Sequence, residues 1–191
     1  PFVRKVMIVV HEKGLVDRVD VVRTRVSVKA PNTELLSDNP LGQIPTLILD
    51  DGSAIYDSPV ISEYLDSIGI GPSLLPASGP ERFRALTWQA LADGILDTVL
   101  VWREWPQERD LAEHDPSYIA AFGLKVKTSL DRLEEIVGQL NAAPFNIGHI
   151  AIGTLLSYLD FRWQVLDWRN GRPELTAWHE NFAAPPSFVA T

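Results

Sequence analysis

Two short stretches hold residue types at spacings that can do chemistry: Gln43-Ile44-Pro45 ahead of an apolar run, and Asp57-Ser58 ahead of Pro59. A cis X-Pro bond lies only about 0.5–1 kcal/mol above trans, so a tight turn can hold it cis and leave the preceding peptide group unpaired at a sheet edge. A ligand peptide can add there as a short extra strand. Ile44-Pro45 alone also suits a plain trans turn. Asp57-Ser58 reads two ways as well. An acid and a hydroxyl before Pro are what a helix N-terminus uses for capping, and the free N–H groups there, with a Ser hydroxyl, also receive a carboxylate.

Composition removes other chemistries. The chain contains no Cys, which excludes disulfides, Cys-ligated zinc, iron–sulfur clusters and any thiol nucleophile from these residues. Sulfur chemistry would have to come from a ligand or from residues outside the sequence. His11, His114, His149 and His179 show no metal-ligand spacing, and no Ser-His-Asp arrangement can be named from their order. The glycines fall at turns and linkers rather than in a phosphate loop. Seventeen basic residues against 25 acidic ones give a net charge of −8, with no Lys/Arg cluster, so nucleic acid is not an expected partner. No apolar run approaches the roughly 18 residues of a membrane span, and no signal-like segment opens the chain. A cytoplasmic protein with no membrane partner is expected. The 191 residues, 46% of them apolar, suit one ordinary domain or two small ones with a true core.

The elements that must position these residues follow from pattern. Pro1 suits a first helical position and Gly14 a C-terminal cap, so residues 1–13 read as one helix. Val19-Asp20-Val21-Val22 reads as a strand, with Val26-Ser27-Val28 as a ragged continuation. Asn32 caps a short helix that stops near Asp38, because Pro40 restricts the residue before it. Thr46-Leu47-Ile48-Leu49 and Ser53-Ala54-Ile55-Tyr56 flank Asp50-Asp51-Gly52 as a β-hairpin, and a helix opens at Asp57-Ser58-Pro59. One more leading strand would complete the β-α-β-α-β-β-α order of a thioredoxin-like domain. Since the chain begins at Pro1, already within a helical pattern, an upstream piece is expected. Gly71, Pro72, Pro76, Gly79 and Pro80 mark a linker. Beyond it the spacing predicts two long helices, through Leu86–Leu100 and Ile119–Val137, a buried helix over 146–161 and a last one opened by Pro173. The expected class is α/β plus all-α: a thioredoxin-like domain at 1–70, a linker at 71–80 and a helical bundle domain at 81–191.

That arrangement, with Asn39-Pro40-Leu41-Gly42-Gln43-Ile44-Pro45 before a strand and Asp57-Ser58 before a helix, resembles the cytosolic glutathione S-transferases over essentially the whole chain. Pro1-Phe2-Val3-Arg4-Lys5-Val6 is similar to that family's first-helix opening. The resemblance implies that Pro45 is cis and that the Ile44 peptide meets the cysteinyl part of glutathione. It implies that Ser58 binds the γ-glutamyl carboxylate, that Asp57 lies near the ammonium group, and that Gln43 bonds the tripeptide backbone. It further implies a homodimer in which Asp97 reaches the partner subunit's glutathione, and a second-substrate pocket drawing on Phe2, Trp102 and Arg103, with Trp105 beside them. An ordinary solvated helix face also accounts for Asp97, an exposed loop amide for Gln43, and simple packing for the Trp102 cluster. One departure concerns the buried helix. The family places Ser or Thr at its cap and Asp three residues on, whereas here Asn146 is followed by His149, so a modified capping box and a structural or partly exposed histidine are expected.

The reaction implied is attack of the glutathione thiolate on a small electrophile, with glutathione as co-substrate and no metal. Lowering a thiol pKa from about 8.5 by two units takes about 2.7 kcal/mol. The N-terminus of the first helix and a hydroxyl just before Pro1, favoured as Ser, are the expected sources. A Cys there would turn the chemistry to mixed-disulfide exchange. Rival readings are a glutathione-fold binding or interaction module without turnover, and a glutathione-dependent isomerase, dehalogenase or thiol reductase.

Overall fold

The computed structural model describes residues 1–27, 29–108 and 116–191, and for residues 104–108 the backbone alone. The described chain divides into two compact units, Pro1–Pro76 with Pro186–Thr191, and Ala77–Pro185.

In the first unit, α1 (Phe2–Glu12) buries Val6, Ile8, Val9 and Val10, one apolar stripe at helical spacing. It ends where Gly14 adopts φ +63° and Leu15 N–H donates back to Val10 O at 2.9 Å, a left-handed terminus that glycine suits best. The stripe packs on α3 (Ser58–Ile68) through Ile61 and Leu65. Between them, α2 (Thr33–Asp38) is opened by Asn32, whose side chain accepts from Glu34 N–H at 3.0 Å and Leu35 N–H at 3.2 Å. The hairpin pairs β1 (Leu47–Ile48) with β2 (Ala54–Ile55) in the register Leu47 to Ile55. Its turn is closed by Gly52 at φ +83° and by Asp51 Oδ1, which accepts from Ser53 N–H at 2.9 Å.

The strand expected at residues 19–22 is not there. Val19 has extended backbone (φ −125°, ψ 116°), yet among the described residues no strand pairs with this stretch, and Val21 and Val22 are exposed. β-branched composition gives an extended backbone; a strand also needs a ladder partner. Val28, in the expected continuation, lies outside the described residues. The chain's end belongs to this unit: Phe188, in the short α9 (Pro186–Val189), is buried, Arg4 Nη2 donates to its carbonyl at 3.2 Å, and Ser187 Oγ donates to Glu12 Oε1 at 2.5 Å.

The second unit is helical: α4 (Gly79–Glu108), α5 (Pro116–Glu135), α6 (Val137–Ala142), α7 (Ile147–Arg162) and α8 (Pro173–Phe182). The helix expected to run on through Val137 breaks at Ile136 (φ −97°, ψ 4°) and restarts as α6. Val137 and Leu140 remain buried past the break, so the apolar pattern conceals it. Helix α7 is buried on all sides, as its all-round apolar sequence requires, and packs mainly on α4. Glu134 of α5 caps α8 by accepting from Glu174 N–H at 3.1 Å and Leu175 N–H at 2.7 Å.

The capping box of α7 is complete, and His149 supplies the half the sequence left in doubt. Asn146 Oδ1 accepts from Gly148 N–H at 2.9 Å, and His149 Nδ1 accepts from Asn146 N–H at 3.2 Å. Nε2 then carries the proton and donates to Leu140 O at 3.0 Å. The ring is buried against Trp88, Phe145 and Trp178. Burial lowers its pKa, and its bonds to Leu140 and Asn146 offset this only in part. A folded pKa below the ordinary value of about 6.5 means that protonation favours the unfolded chain. Stability should therefore be full above about pH 6.5 and fall as the pH drops from there toward the folded value. Urea midpoints at about pH 7.5 and 5.5 check this. His149→Gln, which keeps an acceptor in the box, should lose part of that drop; an undiminished drop would assign it to other groups.

Candidate functional site

Asn39, buried at the end of α2, organises the loop that carries Gln43-Ile44-Pro45. Its Nδ2 donates to Gln43 O at 3.1 Å and Thr46 Oγ1 at 3.0 Å, and its Oδ1 accepts from Leu41 N–H at 3.0 Å. Gly42, at φ +61°, makes the turn between. These bonds fix the chain on both sides of the Ile44-Pro45 bond, which is cis. Among the described residues no backbone group pairs with the Ile44 N–H or C=O. Ile44 and Pro45 are half-buried and the Gln43 side chain is exposed. The sequence reading did not count Asn39 among the site residues, although its signal was present: Asn ahead of Pro-x-Gly is a side-chain-bonded turn.

The second stretch lies at the start of α3. Asp57 is the N-cap, exposed, joined to Tyr56 by a cis peptide bond, and its carboxylate accepts from Ser58 N–H. Pro59 has no N–H, Ile61 N–H closes the first turn on Asp57 O at 3.0 Å, and Val60 N–H has no backbone partner among the described residues. Ser58 has no accessible surface, and its Oγ is a buried donor without an acceptor. As placed, the hydroxyl does not open to solvent; it reaches a ligand only by rotation about χ1. At the other end of the unit, α1 begins with Pro1 as an N-cap that gives no side-chain bond, and its first turn holds no acid, so its positive end is uncompensated. Phe2 is half-buried in that turn, beneath Lys5 Nζ at 5.5 Å from the ring centroid.

The remaining candidates belong to the second unit. Asp97 is exposed on α4. Trp102 lies between Trp163 (centroids 4.8 Å apart) and Phe122 (6.2 Å), and Arg103 Nη1 donates to Tyr158 OH at 3.4 Å. The Trp105 side chain and His114 lie outside the described residues.

A Ser-His-Asp contact that sequence order could not name does occur: Ser157 Oγ is 3.0 Å from His179 Nε2, and Asp160 Oδ2 is 3.9 Å from Nδ1. Arg169 holds both Asp160 oxygens, and its Nη2 also lies 3.4 Å from Nδ1. Facing a donor, Nδ1 accepts, Nε2 carries the proton toward Ser157, and the ring cannot act as that serine's base. The cluster pins the segment after α7 to α8, with Trp168 Nε1 donating to Asp160 at 2.7 Å. Among the described residues no group of three or more His, Asp or Glu could hold a metal ion, and no helix is long and apolar enough to cross a membrane.

The hairpin-bearing first unit and the helical second unit constitute a thioredoxin-like domain followed by a helical domain. Residues 1–68 match the model of the glutathione S-transferase N-terminal domain, and residues 116–181 that of the C-terminal domain. The chain is 35% identical over 194 residues to the uncharacterized GST-like protein YibF of Escherichia coli (strain K12), covering 100% of this chain and 93% of that one. It resembles the crystal structure of a glutathione transferase family member from Pseudomonas fluorescens Pf-5 with bound glutathione, at 41% identity and TM-score 0.95 over 100% of this chain and 93% of that one. A structure from the same organism with bound S-(propanoic acid)-glutathione matches at 40% identity and TM-score 0.88, with the same coverage. The chain belongs to the glutathione S-transferase family.

Proposed function

We propose that the protein binds glutathione through its first unit and transfers the glutathione thiolate to a small electrophilic carbon. The observation that carries this reading is the unpaired Ile44 peptide on the loop that Asn39 anchors, in the same unit as an orphan hydroxyl at the start of α3. A cysteinyl peptide unit pairs with the first, as an added strand would. A carboxylate at the α3 N-terminus gives Ser58 Oγ and Val60 N–H the acceptor they lack, with Asp57 as counter-charge for an adjoining ammonium and Gln43 as a flanking amide. The glutathione bound in the relative from Pseudomonas fluorescens supports the same ligand here.

The uncompensated end of α1 favours a thiolate by about 0.3–1 kcal/mol, and up to about 2 in a partly buried setting. A hydroxyl just ahead of Pro1 is to supply the rest of the roughly 2.7 kcal/mol that two pKa units require. A cytoplasmic homodimer, with Asp97 reaching the other copy's γ-glutamyl amine, belongs to the same reading.

Calorimetric titration with glutathione tests it. Ser58→Ala should weaken binding about tenfold or more, since a hydrogen bond to a charged group is worth about 1.5–3 kcal/mol. The thermal midpoint should barely move, because the hydroxyl has no partner to lose. Equal affinity in parent and variant would remove Ser58 from the site.

A further inference from the structure

We propose that the second unit carries a recognition site for a planar aromatic carboxylate, with Trp102, Phe122 and Trp163 as the stacking surface and Arg103 as the counter-charge. This deepens the transferase reading by naming the class of its electrophile, and in that respect rests on it.

The three rings form one shelf. Trp102 is inclined by 36° to Trp163 and by 27° to Phe122, and all three are half-buried, so the shelf keeps accessible aromatic surface. Rings held in this way offer a flat guest the offset stacking that aromatic pairs prefer. Two polar features beside the shelf have bonding capacity to spare. Trp163 Nε1–H is buried with no acceptor. Arg103 is exposed, and its one hydrogen bond among the described residues goes to the Tyr158 hydroxyl. In a chain with 25 acidic residues against 17 basic ones, a guanidinium beside an aromatic shelf, with no carboxylate paired to it among the described residues, is set apart by charge. Its fork suits a carboxylate, which it can hold through two parallel bonds. At the same end of the unit, Arg162 covers the ring of exposed Phe161 at 4.1 Å, adding a second cation. A neutral aromatic would leave Arg103 unmatched, and an aliphatic acid would leave the rings unused.

Titration of the protein with 4-nitrobenzoate, followed by quenching of tryptophan fluorescence, tests the site against two controls, 4-nitrobenzamide and cyclohexanecarboxylate. The benzoate should bind about tenfold tighter than either. Arg103→Gln should reduce its affinity to that of the amide, and Trp163→Phe, which keeps the ring and removes the N–H, should weaken it several-fold. Equal affinity for benzoate and benzamide, or undiminished benzoate binding in Arg103→Gln, would overturn the site. So would sedimentation showing that self-association covers the shelf and excludes the probe. A second arm uses glutathione with 4-chloro-3-nitrobenzoate: the sulfur–carbon bond forms as the carbon–chlorine bond breaks, and chloride leaves with the bonding pair. Arg103→Gln should raise KM for this substrate and not for neutral 1-chloro-2,4-dinitrobenzene. Calorimetry with glutathione alone separates the two claims. Nitrobenzoate binding without glutathione binding leaves the site standing and removes the transferase reading; glutathione binding without nitrobenzoate binding does the reverse.

Discussion

Asp66→Ala is expected to lower the unfolding free energy by about 3–5 kcal/mol, the cost of removing one partner of a buried ion pair. Lys13 and Asp66 are 2% and 6% exposed, with Nζ 2.9 Å from Oδ1. The carboxylate also accepts from Leu74 N–H at 2.8 Å, Leu75 N–H at 3.0 Å and Ser73 Oγ at 2.8 Å, while Lys13 Nζ donates to Pro72 O at 3.0 Å. One carboxylate thus joins the end of α1, the last turn of α3 and the segment that follows α3. Its removal strands an ammonium and two amides away from water. Burial works to raise the Asp66 pKa, but the bonds from Leu74, Lys13, Ser73 and Leu75 outweigh it and hold the carboxyl below its usual value. With the folded pKa depressed, the stabilisation is present above the unfolded value of about 3.9 and is lost as the pH falls through the folded one. Urea unfolding at neutral pH measures the effect, and a loss below about 1 kcal/mol would show that water reaches Lys13. Lys13→Met should relieve part of the damage in the double variant, because the stranded charge is then gone.

The sequence made this pair invisible and the hairpin plain, for a physical reason. Asp50-Asp51-Gly52, Asn32 and Asp57 act on neighbours within a few residues, so local chemistry fixes their turn and caps. Lys13 and Asp66 are distant along the chain, and nothing local tells a buried Lys from a surface one. The same limit explains residues 19–22, whose composition is that of a strand although a ladder is a distant relation. It explains His149 as well: a histidine three residues after Asn146 serves as acceptor only where burial and Leu140 O fix its tautomer. At the candidate site, the positions were legible because Ile44-Pro45 and Asp57-Ser58 are compact motifs. The Asn39 anchor and the buried state of Ser58 depend on side-chain packing, and those were not.

Gly153→Ala should be the other costly change, because α7 lets a ring lie directly on its backbone. A Cβ at Gly153 would sit 1.7 Å from Phe182 Cε1 and 2.1 Å from Cδ1, far inside van der Waals contact. The ring has little room to withdraw: it stacks on Trp178 with centroids 4.8 Å apart and planes 14° apart, and Phe145 lies 6.0 Å away. Alanine gains about 1 kcal/mol over glycine in a helix interior. Overpacking a core costs about 1–3 kcal/mol and occasionally more, and an overlap this deep belongs at the upper end. A net loss of about 2 kcal/mol is therefore expected in chemical denaturation. The contact itself can be tested by compensation. Phe182→Leu alone should destabilise by opening a cavity, yet it should make room for the methyl that Gly153→Ala adds, so the double variant should lose at least about 1 kcal/mol less than the sum of the singles. Additive losses would mean that the ring moves aside freely and that Gly153 serves some purpose other than admitting Phe182 to the surface of α7.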